Sequence, residues 1–435
     1  MKNILAFVLF FLICQYSMAQ SWTLKQCIDY AVLNNISIKQ QELNLQQKEI
    51  SLNTAKMNVL PDVSASVNQS FGLGRALTSS NVYDLRNTAN TSVNVGAHAT
   101  LFQGFYKRNN IVANKIMLDA AFHDLQKAKD DLGINVTSYY LQVLYTKEVI
   151  QLNQKQLQLS ISQYENIKYQ FEIGRRSEVD VIKSLATIAH DSLTLINSQN
   201  DYQLALLDLA QLIDTDPNGF SVIAPNGEIE FVMVLSPDNV FQTAIAEKSE
   251  IRAAELRVEN AEKQIALAKS TLYPTVSLSV GVGSNYYKTE GLPAPEFGNQ
   301  MKNNLSESIN LSLNIPIFDK FSTRNTIRSA KLQHAQSELD LELQKKQLQK
   351  QIEQAYYNVI AAESKYKSSN AAAIASESAY DLIKSKFDLN KASKIELDEA
   401  RLDWVRSITN MIEAKYEYIF KIKILNFYAG NEITD

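Results

Sequence analysis

Proline and glycine are nearly absent from two long stretches of this chain, and their absence constrains the fold more than any other feature. Residues 105–213 contain two glycines, Gly133 and Gly174, and residues 321–428 contain none; neither stretch contains a proline. Because these two residue types most often end helices, both stretches can form very long helices. A helix over residues 106–170 would be about 98 Å long at the usual rise per residue, which is longer than the helices of globular domains.

Residues that are apolar with one exception, His334, recur every seven positions within both stretches. This spacing predicts coiled-coil packing of the long helices against antiparallel neighbours. The two series are Ile111, Leu118, Leu125 and Leu132 in the first stretch, and Ile327, His334, Leu341 and Leu348 in the second.

The chain repeats itself, which predicts two copies of one structural unit. Residues 55–67 (AKMNVLPDVSASV) share seven of thirteen residues with residues 268–280 (AKSTLYPTVSLSV). The offset between the copies is 213 up to this point and 216 after it, so one loop differs in length by three residues. The predicted domains are a signal peptide at 1–19, repeats at 20–213 and 237–430, a linker at 214–236 and a short tail at 431–435. The predicted long helices span about 105–171, 177–213, 321–387 and 393–428.

The first residues read as a secretory signal, with Lys2, an apolar run over residues 4–13, and Ser17-Met18-Ala19 before Gln20. A membrane anchor is the alternative, but a run of about ten residues is half of the roughly 20 that span a bilayer. After cleavage Cys27 is the remaining cysteine, so an intramolecular disulfide cannot form.

Each repeat also contains two segments in which apolar and small polar residues alternate, as they do in membrane strands. The predicted strands span about 62–73, 92–102, 275–286 and 307–318. Their polar positions hold Ser, Asn, Gly and Thr rather than the Lys and Glu of a solvated sheet, which favours a water-filled lumen over a soluble sheet. We expect one set of side chains to face lipid (Leu278, Val280, Leu311 and Leu313) and another to face water (Ser279, Asn310 and Ser312).

Four strands are too few for a membrane barrel, and lipid does not tolerate an open sheet edge. Two copies would supply eight strands, and side chains fill the interior of a barrel of that size. Three copies would supply twelve strands and leave a pore. The sequence therefore predicts a trimer.

Several motifs occur in the same order in both repeats or at their borders. They are WTLKQCIDYAVLNN from Trp22, the AK-x(4)-P segments before the strands, LF-x-G-F from Leu101, and the turns IGRRSEVDV from Ile173 and LNKASKIEL from Leu389. In this order and spacing the sequence resembles the outer-membrane efflux protein (TolC) family over essentially the whole mature chain. The resemblance implies a mainly helical fold with membrane strands: a homotrimer with a twelve-stranded β-barrel in the Gram-negative outer membrane and a long α-helical barrel in the periplasm.

The function that the resemblance implies is a passive conduit for efflux or type I secretion, without cofactor or enzymatic activity. Its partners would be a periplasmic adaptor protein and an inner-membrane pump of the RND or ABC type. The exported substrate is not implied. The alternative is a secreted coiled-coil structural or adhesive protein, and a distant third is an outer-membrane enzyme, for which the strands offer no catalytic cluster.

The resemblance also assigns roles to two helical turns, here called the first tip (Ile173 to Ser177) and the second tip (Leu389 to Ser393). It implies that the adaptor docks on Ile173, Gly174, Arg175, Ser177, Leu389, Asn390 and Ser393. The carboxylates implied at the periplasmic aperture are Asp180, Glu396 and Glu399, and the alternative for these acids is a solvated helix face. The arginine that locks the aperture in the family falls on Ala392, so a lock of that form is not expected in this chain and its resting conductance should be higher than in family members with the lock. The alternative is that Arg175 or Arg176 closes the aperture by pairing with Asp180 or Glu396.

Other functions find little support in the sequence. With 43 basic and 47 acidic residues the formal charge is −4, and nucleic-acid binding proteins instead carry a basic surplus. The four histidines (His98, His123, His190 and His334) show no metal-ligand spacing, and no serine or cysteine lies in a nucleophile motif.

Overall fold

The computed structural model describes residues 20–77, 81–217, 219–224 and 235–433. The predicted signal peptide and much of the predicted linker lie outside the described residues. The chain divides into two compact units. The helical unit comprises the described residues of 1–43, 123–251 and 343–435, and the sheet unit comprises those of 44–122 and 252–342.

Long helices make up most of the described chain. In chain order the elements are β1 (Gln20–Trp22), α1 (Leu24–Asn34), α2 (Ile36–Met57), β2 (Asp62–Gly72), β3 (Arg75–Leu77), β4 (Tyr83–Leu85), β5 (Thr88–Gln103), α3 (Tyr106–Glu172), α4 (Glu178–Ile213), β6 (Phe220–Val222), α5 (Pro237–Glu247), α6 (Ser249–Ser270), β7 (Thr275–Thr289), α7 (Phe297–Asn303), β8 (Ser306–Asn314), α8 (Ser322–Asp388) and α9 (Lys394–Tyr428). None of the described helices combines the length and the apolar character needed to cross a membrane.

The duplication is visible in the helix lengths. Helices α2 and α6 both have 22 residues, and α3 and α8 both have 67. The predicted tandem duplication and the mainly helical fold with a few strands are therefore confirmed. The eight seam residues of the heptad series are all buried or half-buried, as coiled-coil packing requires.

In the helical unit, each repeat uses the residue between its first two helices to hold the end of its last helix. The side-chain amide of Asn35 donates a hydrogen bond of 2.7 Å to the carbonyl of Leu212, near the end of α4. In the second repeat, Lys248 Nζ donates one of 2.7 Å to the carbonyl of Phe427, near the end of α9, and lies 3.2 Å from the centre of the Phe427 ring. Both contacts satisfy carbonyls that a helix end leaves unpaired.

In the sheet unit, four antiparallel strands pair in the order β2-β5-β7-β8. One transverse row of opposed residues is Val63, Ala97, Val280 and Ile309, and the adjacent row is Asp62, His98, Ser279 and Asn310. Because directly opposed residues share a face and neighbours along a strand do not, one face is apolar and the other is polar. Leu278 and Leu311 thus lie on the face opposite to Ser279 and Ser312.

The strands differ in length from the pattern-based expectation. Pairing extends β5 back to Thr88 and β7 on to Thr289, where hydrogen bonding continues past the alternating segment. Strand β8 ends at Asn314, because its neighbour β7 begins opposite this residue and Pro316 has no N–H to donate. Beyond the start of β8, the side-chain amide of Gln300 accepts from the N–H of Tyr287 and donates to its carbonyl, both at 3.0 Å, and so takes the place of a strand.

The turn from strand to long helix is built alike in both repeats of the sheet unit. Gly104 and Phe105 have φ angles of +55° and +63°, and their counterparts Lys320 and Phe321 have +56° and +65°. A Cβ on Gly104 would lie 2.4 Å from the carbonyl oxygen of Ser270, so this position accepts only glycine. Lysine at the counterpart position carries the strain of a left-handed conformation without such a contact.

Candidate functional site at the helical hairpin tips

The first tip ends helix α3 with a left-handed glycine. Gly174 has φ +74°, its N–H donates to the carbonyl of Phe171 at 2.9 Å, and the N–H of Arg175 donates to the carbonyl of Gln170 at 2.8 Å. This pair of bonds is the Schellman motif, which ends a helix with a residue in the left-handed conformation. Glycine adopts that conformation without strain. Apart from the glycine itself and its neighbours in the chain, no atom of the described residues lies within 4 Å of a Cβ built on Gly174, so the turn faces open space.

The second tip has the same backbone with different side chains. Asn390 has φ +60° and donates from its N–H to the carbonyl of Phe387 at 2.9 Å, and Lys391 donates to the carbonyl of Lys386 at 2.8 Å. Asparagine adopts the left-handed region more readily than other residues with a side chain. Ile173 and Leu389, the aliphatic residues before each turn, are 47% and 67% exposed.

Each tip starts the next helix with a capping box. Ser177 Oγ accepts from the N–H of Asp180 at 3.3 Å, and the Asp180 carboxylate accepts from the N–H of Ser177 at 3.4 Å. Ser393 Oγ likewise accepts from the N–H of Glu396 at 3.2 Å, and the Glu396 carboxylate accepts from the N–H of Ser393 at 2.6 Å. Two of the three predicted aperture acids therefore cap helices within their own chain.

The capping bonds affect the charge of Glu396. Hydrogen bonds from the backbone and side chain of Ser393, helped by the positive charge of Lys386, hold the pKa of Glu396 below its usual range. Glu396 is thus ionised at neutral pH and remains so further into acid than a free glutamate. Glu399, one helical turn later, is exposed and forms no hydrogen bond or ion pair with any described residue. The side chain of Glu399 is therefore accessible to solvent.

Arg176 connects the two tips. Its Nη2 donates to the carbonyl of Phe387 at 2.7 Å, its Nε donates to the side chain of Gln170 at 3.0 Å, and its guanidinium carbon lies 3.8 Å from the centre of the Phe387 ring. Arg176 therefore caps the end of α8 rather than pairing with Asp180 or Glu396. The counterpart of Arg176 in the second repeat is Ala392, which packs against the apolar core below the tips. An alanine has no group that could bind the end of α3 as Arg176 binds the end of α8.

Below the tips, a buried ion pair joins α9 to α3 and α4. Arg401 is 4% exposed, and its Nη1 donates to Asp191 and to Ser160 Oγ, both at 2.7 Å. Ser160 Oγ also contacts the same carboxylate oxygen of Asp191. The group therefore holds side chains from three helices in one hydrogen-bonded cluster, where a buried charge is tolerated because it is paired.

An aromatic pair continues this cluster toward the tips. The ring of Tyr380 stacks on Trp404 with 4.9 Å between centroids, and Gln163 Nε2 donates to the Tyr380 hydroxyl at 2.7 Å. Burial raises the pKa of Tyr380 to about 12, so this hydroxyl stays protonated. The apolar core at this level combines residues of all four helices: Ile167, Tyr380, Phe387 and Leu397, with Val181 and Ala400 packed against them.

Arg401, Asp191 and Gln163 were not predicted from the sequence. A signal for Arg401 was present, since Lys394, Leu397, Arg401 and Trp404 recur at the helical spacing of a buried face. A cation on such a face predicts a buried partner, but the sequence does not show that the partner is Asp191, 210 residues away.

Comparisons with known proteins agree with this architecture. The model of the family described as "Outer membrane efflux protein" matches residues 27–215 and 240–430. The outer membrane efflux protein BepC of Brucella suis biovar 1 (strain 1330) is 20% identical over 417 residues, which cover 96% of this chain and 87% of BepC. The outer membrane protein TolC of Escherichia coli (strain K12) is 21% identical over 416 residues, covering 93% and 81%.

Among solved structures, that of CusC, described as undergoing transmembrane channel formation, superimposes with a TM-score of 0.80 at 15% identity. The superposition covers 94% of this chain and 92% of CusC. At this identity the similarity bears on the fold alone.

Proposed function

Because the chain belongs to the outer membrane efflux protein family, we propose that three copies of it form a passive outer-membrane conduit, with the long helices in the periplasm. An adaptor and an inner-membrane pump of the RND or ABC type would deliver the cargo. The family consists of channel proteins rather than enzymes. Family membership leaves no support for the alternative of a secreted adhesive protein.

The observation that carries the proposal is the four-stranded sheet, whose two edge strands pair with no further strand of the described residues. Every residue of the edge strands β2 and β8 is exposed in the single chain. Unpaired backbone groups are not tolerated in lipid, so the edges must pair with other copies. Three such sheets supply the twelve strands of a barrel. With the apolar face of each sheet toward lipid, the face that carries Ser, Asn and Gly lines the lumen.

The helices also offer surface for other copies. Helix α4 carries a stripe of exposed aliphatic side chains at helical spacing that no other part of the described chain covers: Val179, Ile182, Leu185, Leu193, Ile196, Leu204 and Leu207. Apolar stripes at this spacing pack against neighbouring helices. They support an α-helical barrel formed by several copies.

Labelling of single cysteines tests the barrel. Leu311→Cys and Ser312→Cys place a thiol on opposite faces of β8 at the same depth, and each serves as the matched control for the other. In reconstituted membranes, a water-soluble maleimide should label Ser312→Cys and leave Leu311→Cys unmodified, while both react after denaturation. The protein should migrate as a trimer in mild detergent. Equal labelling of both positions in the membrane would contradict the barrel.

The tips are proposed as the adaptor-docking ends and the acids beside them as the aperture. Ile173, Leu389 and the open turn at Gly174 have no described neighbour that buries them. In a trimer, Glu396 and Glu399 would form two rings of three carboxylates one helical turn apart, because residues three apart share a helix face. Rings of acidic side chains select cations.

Planar-bilayer recordings test the aperture. The double variant Glu396→Gln/Glu399→Gln should lose the block by multivalent cations from the periplasmic side and should show weaker cation selectivity. Glutamine also serves at the third position of a capping box, so stability should stay nearly unchanged. Asp403→Asn, which removes an exposed acid elsewhere on α9, is the control and should retain selectivity. If the double variant keeps both selectivity and block, these acids do not line the aperture.

A further inference from the structure

The polar face of the four-stranded sheet carries almost no charge. It consists of every second residue of β2, β5, β7 and β8, with one shift at the bulge after Thr100. Among the described strand residues of this face, Asp62 and His98 are the two whose side-chain types carry or change charge between pH 5 and pH 8. The others are serine, threonine, asparagine, glutamine, glycine and one tyrosine, Tyr287. The charge of this face is therefore concentrated in two residues.

These two residues lie side by side on neighbouring strands. Asp62 of β2 is directly opposite His98 of β5, and Ser279 of β7 is opposite His98 on its other side. Asp62 and His98 are both exposed, and His98 Nδ1 and Ser279 Oγ form a hydrogen bond of 3.0 Å. A hydroxyl group can donate to a neutral imidazole and can accept from a protonated one. Ser279 can therefore hold the ring in the same place in both charge states.

The surroundings of the pair do not offset a change of its charge. The adjacent rows on the same face hold small neutral residues: Ser64, Gly96, Gly281 and Ser308 on one side, and Thr100, Ser277 and Ser312 on the other. Helix α3 adds one cation nearby, because Lys107 Nζ donates to the carbonyl of Thr100 at 3.0 Å. Lysine and aspartate side chains ordinarily keep their charge between pH 5 and pH 8, whereas histidine gains a proton in this range. The charge at this level therefore varies with pH through the imidazole.

We propose that Asp62 and His98 determine which charged solutes pass through the barrel, and that protonation of the imidazole changes this preference. The inference rests on the proposed function, because three copies would place three such pairs in a ring at one level of the lumen. With neutral imidazoles the ring carries uncompensated carboxylates, which favour cations. With protonated imidazoles each carboxylate has a cation beside it, and the preference falls. Cationic and neutral cargo therefore passes at neutral pH, and anionic cargo passes more readily in acid.

Reversal potentials in planar bilayers test the proposal, because a gradient of KCl gives the ratio of cation to anion permeability. At about 0.1 M salt a charge acts over about 10 Å, so the ratio of the unaltered protein should fall between pH 8 and pH 5. His98→Gln should keep the ratio at pH 8 and lose most of this fall. His190→Gln removes an exposed histidine of α4, outside the sheet, and as the matched control should keep the full fall. The proposed aperture acids are present in all three proteins and contribute equally to each.

Asp62→Asn should show the complementary result: a lower ratio at both pH values, with the fall retained. The two variants alter different strands, so each tests the proposal if the other does not assemble. In about 1 M salt, where a charge acts over about 3 Å, the conductances should be alike, which shows that the pore keeps its width. An equal fall in the unaltered protein and His98→Gln, or an unchanged ratio in Asp62→Asn, would overturn the proposal and leave the conduit standing. Absence of pores from the unaltered protein would refute the conduit itself, and this proposal with it.

Discussion

The two repeats have the same backbone at their tips, turns and helix junctions, and they differ in the side chains placed there. Both tips combine a left-handed residue with a serine cap, yet Gly174 and Arg176 in the first correspond to Asn390 and Ala392 in the second. As a result, the hydrogen bond between the tips has its donor, Arg176, in the first repeat and its acceptor, the carbonyl of Phe387, in the second. The two repeats therefore share the backbone geometry of the tips, whereas the side-chain contact between the two tips is asymmetric.

The largest expected difference between the repeats is at the strand-to-helix turns. Gly104→Ala should destabilise the fold by about 3 kcal/mol, because the new Cβ would overlap the Ser270 carbonyl and the left-handed conformation would be strained. Lys320→Gly should instead stabilise it by about 1 kcal/mol, since it relieves that strain. The thermal unfolding midpoint of each variant in detergent measures the effect.

Lys320→Ala is the control for this comparison, because it keeps a Cβ at the same φ and should leave the midpoint nearly unchanged. Equal losses from Gly104→Ala and Lys320→Ala would show that the two turns are not packed differently.

A smaller difference is expected at the tips. Arg176→Ala removes a charge-assisted hydrogen bond and a ring contact from the end of α8, which should cost about 1–2 kcal/mol locally. Backbone amides near Asn390 should then exchange hydrogen about tenfold faster for each 1.4 kcal/mol lost. Lys391→Ala lies in the same turn without a contact to the other tip, so exchange there should stay slow. Equal acceleration in both variants would mean that Arg176 does not hold the end of α8.

The smallest difference concerns pH, at the helix junctions. The first repeat has neutral Asn35 and Ser37 where the second has Lys248 and Glu250. Burial raises the pKa of Glu250, although Lys127 and Lys248 oppose the shift. An acid with a raised folded-state pKa destabilises the fold as pH rises through that pKa, because the folded state must release a proton that it binds more tightly than the unfolded state does.

Glu250→Gln should therefore raise stability at pH 7 by no more than about 0.5 kcal/mol after solvent screening, and this gain should disappear near pH 4. Ser37→Ala, at the equivalent position, should show an effect that does not vary with pH. Denaturant unfolding at both pH values measures the difference, and a gain that persists at pH 4 would contradict a titration of Glu250.

The sequence predicts the fold class because its signals are local and repeated. Heptad spacing, the absence of proline and the period-two segments each act over many residues. The short pair of β1 and β6 was missed, because three residues are too few to show a period. The contact of Arg401 with Asp191 was missed for a different reason: it joins residues far apart in the chain, and neither residue type is unusual on a long helix. The roles of Glu396 and Glu399 at an aperture remain a prediction.

The equal length of α3 and α8 has a consequence for how such a chain can change over evolution. One inserted residue turns everything after it by about 100° around the helix axis. Such an insertion in either helix would rotate one tip away from the other and separate Arg176 from Phe387. Length changes are therefore tolerated in the strand loops, where the offset between the repeats shifts from 213 to 216. An insertion in one long helix would keep the tip contact only if the other long helix gained the same number of residues. The contact between the tips therefore requires α3 and α8 to keep the same length.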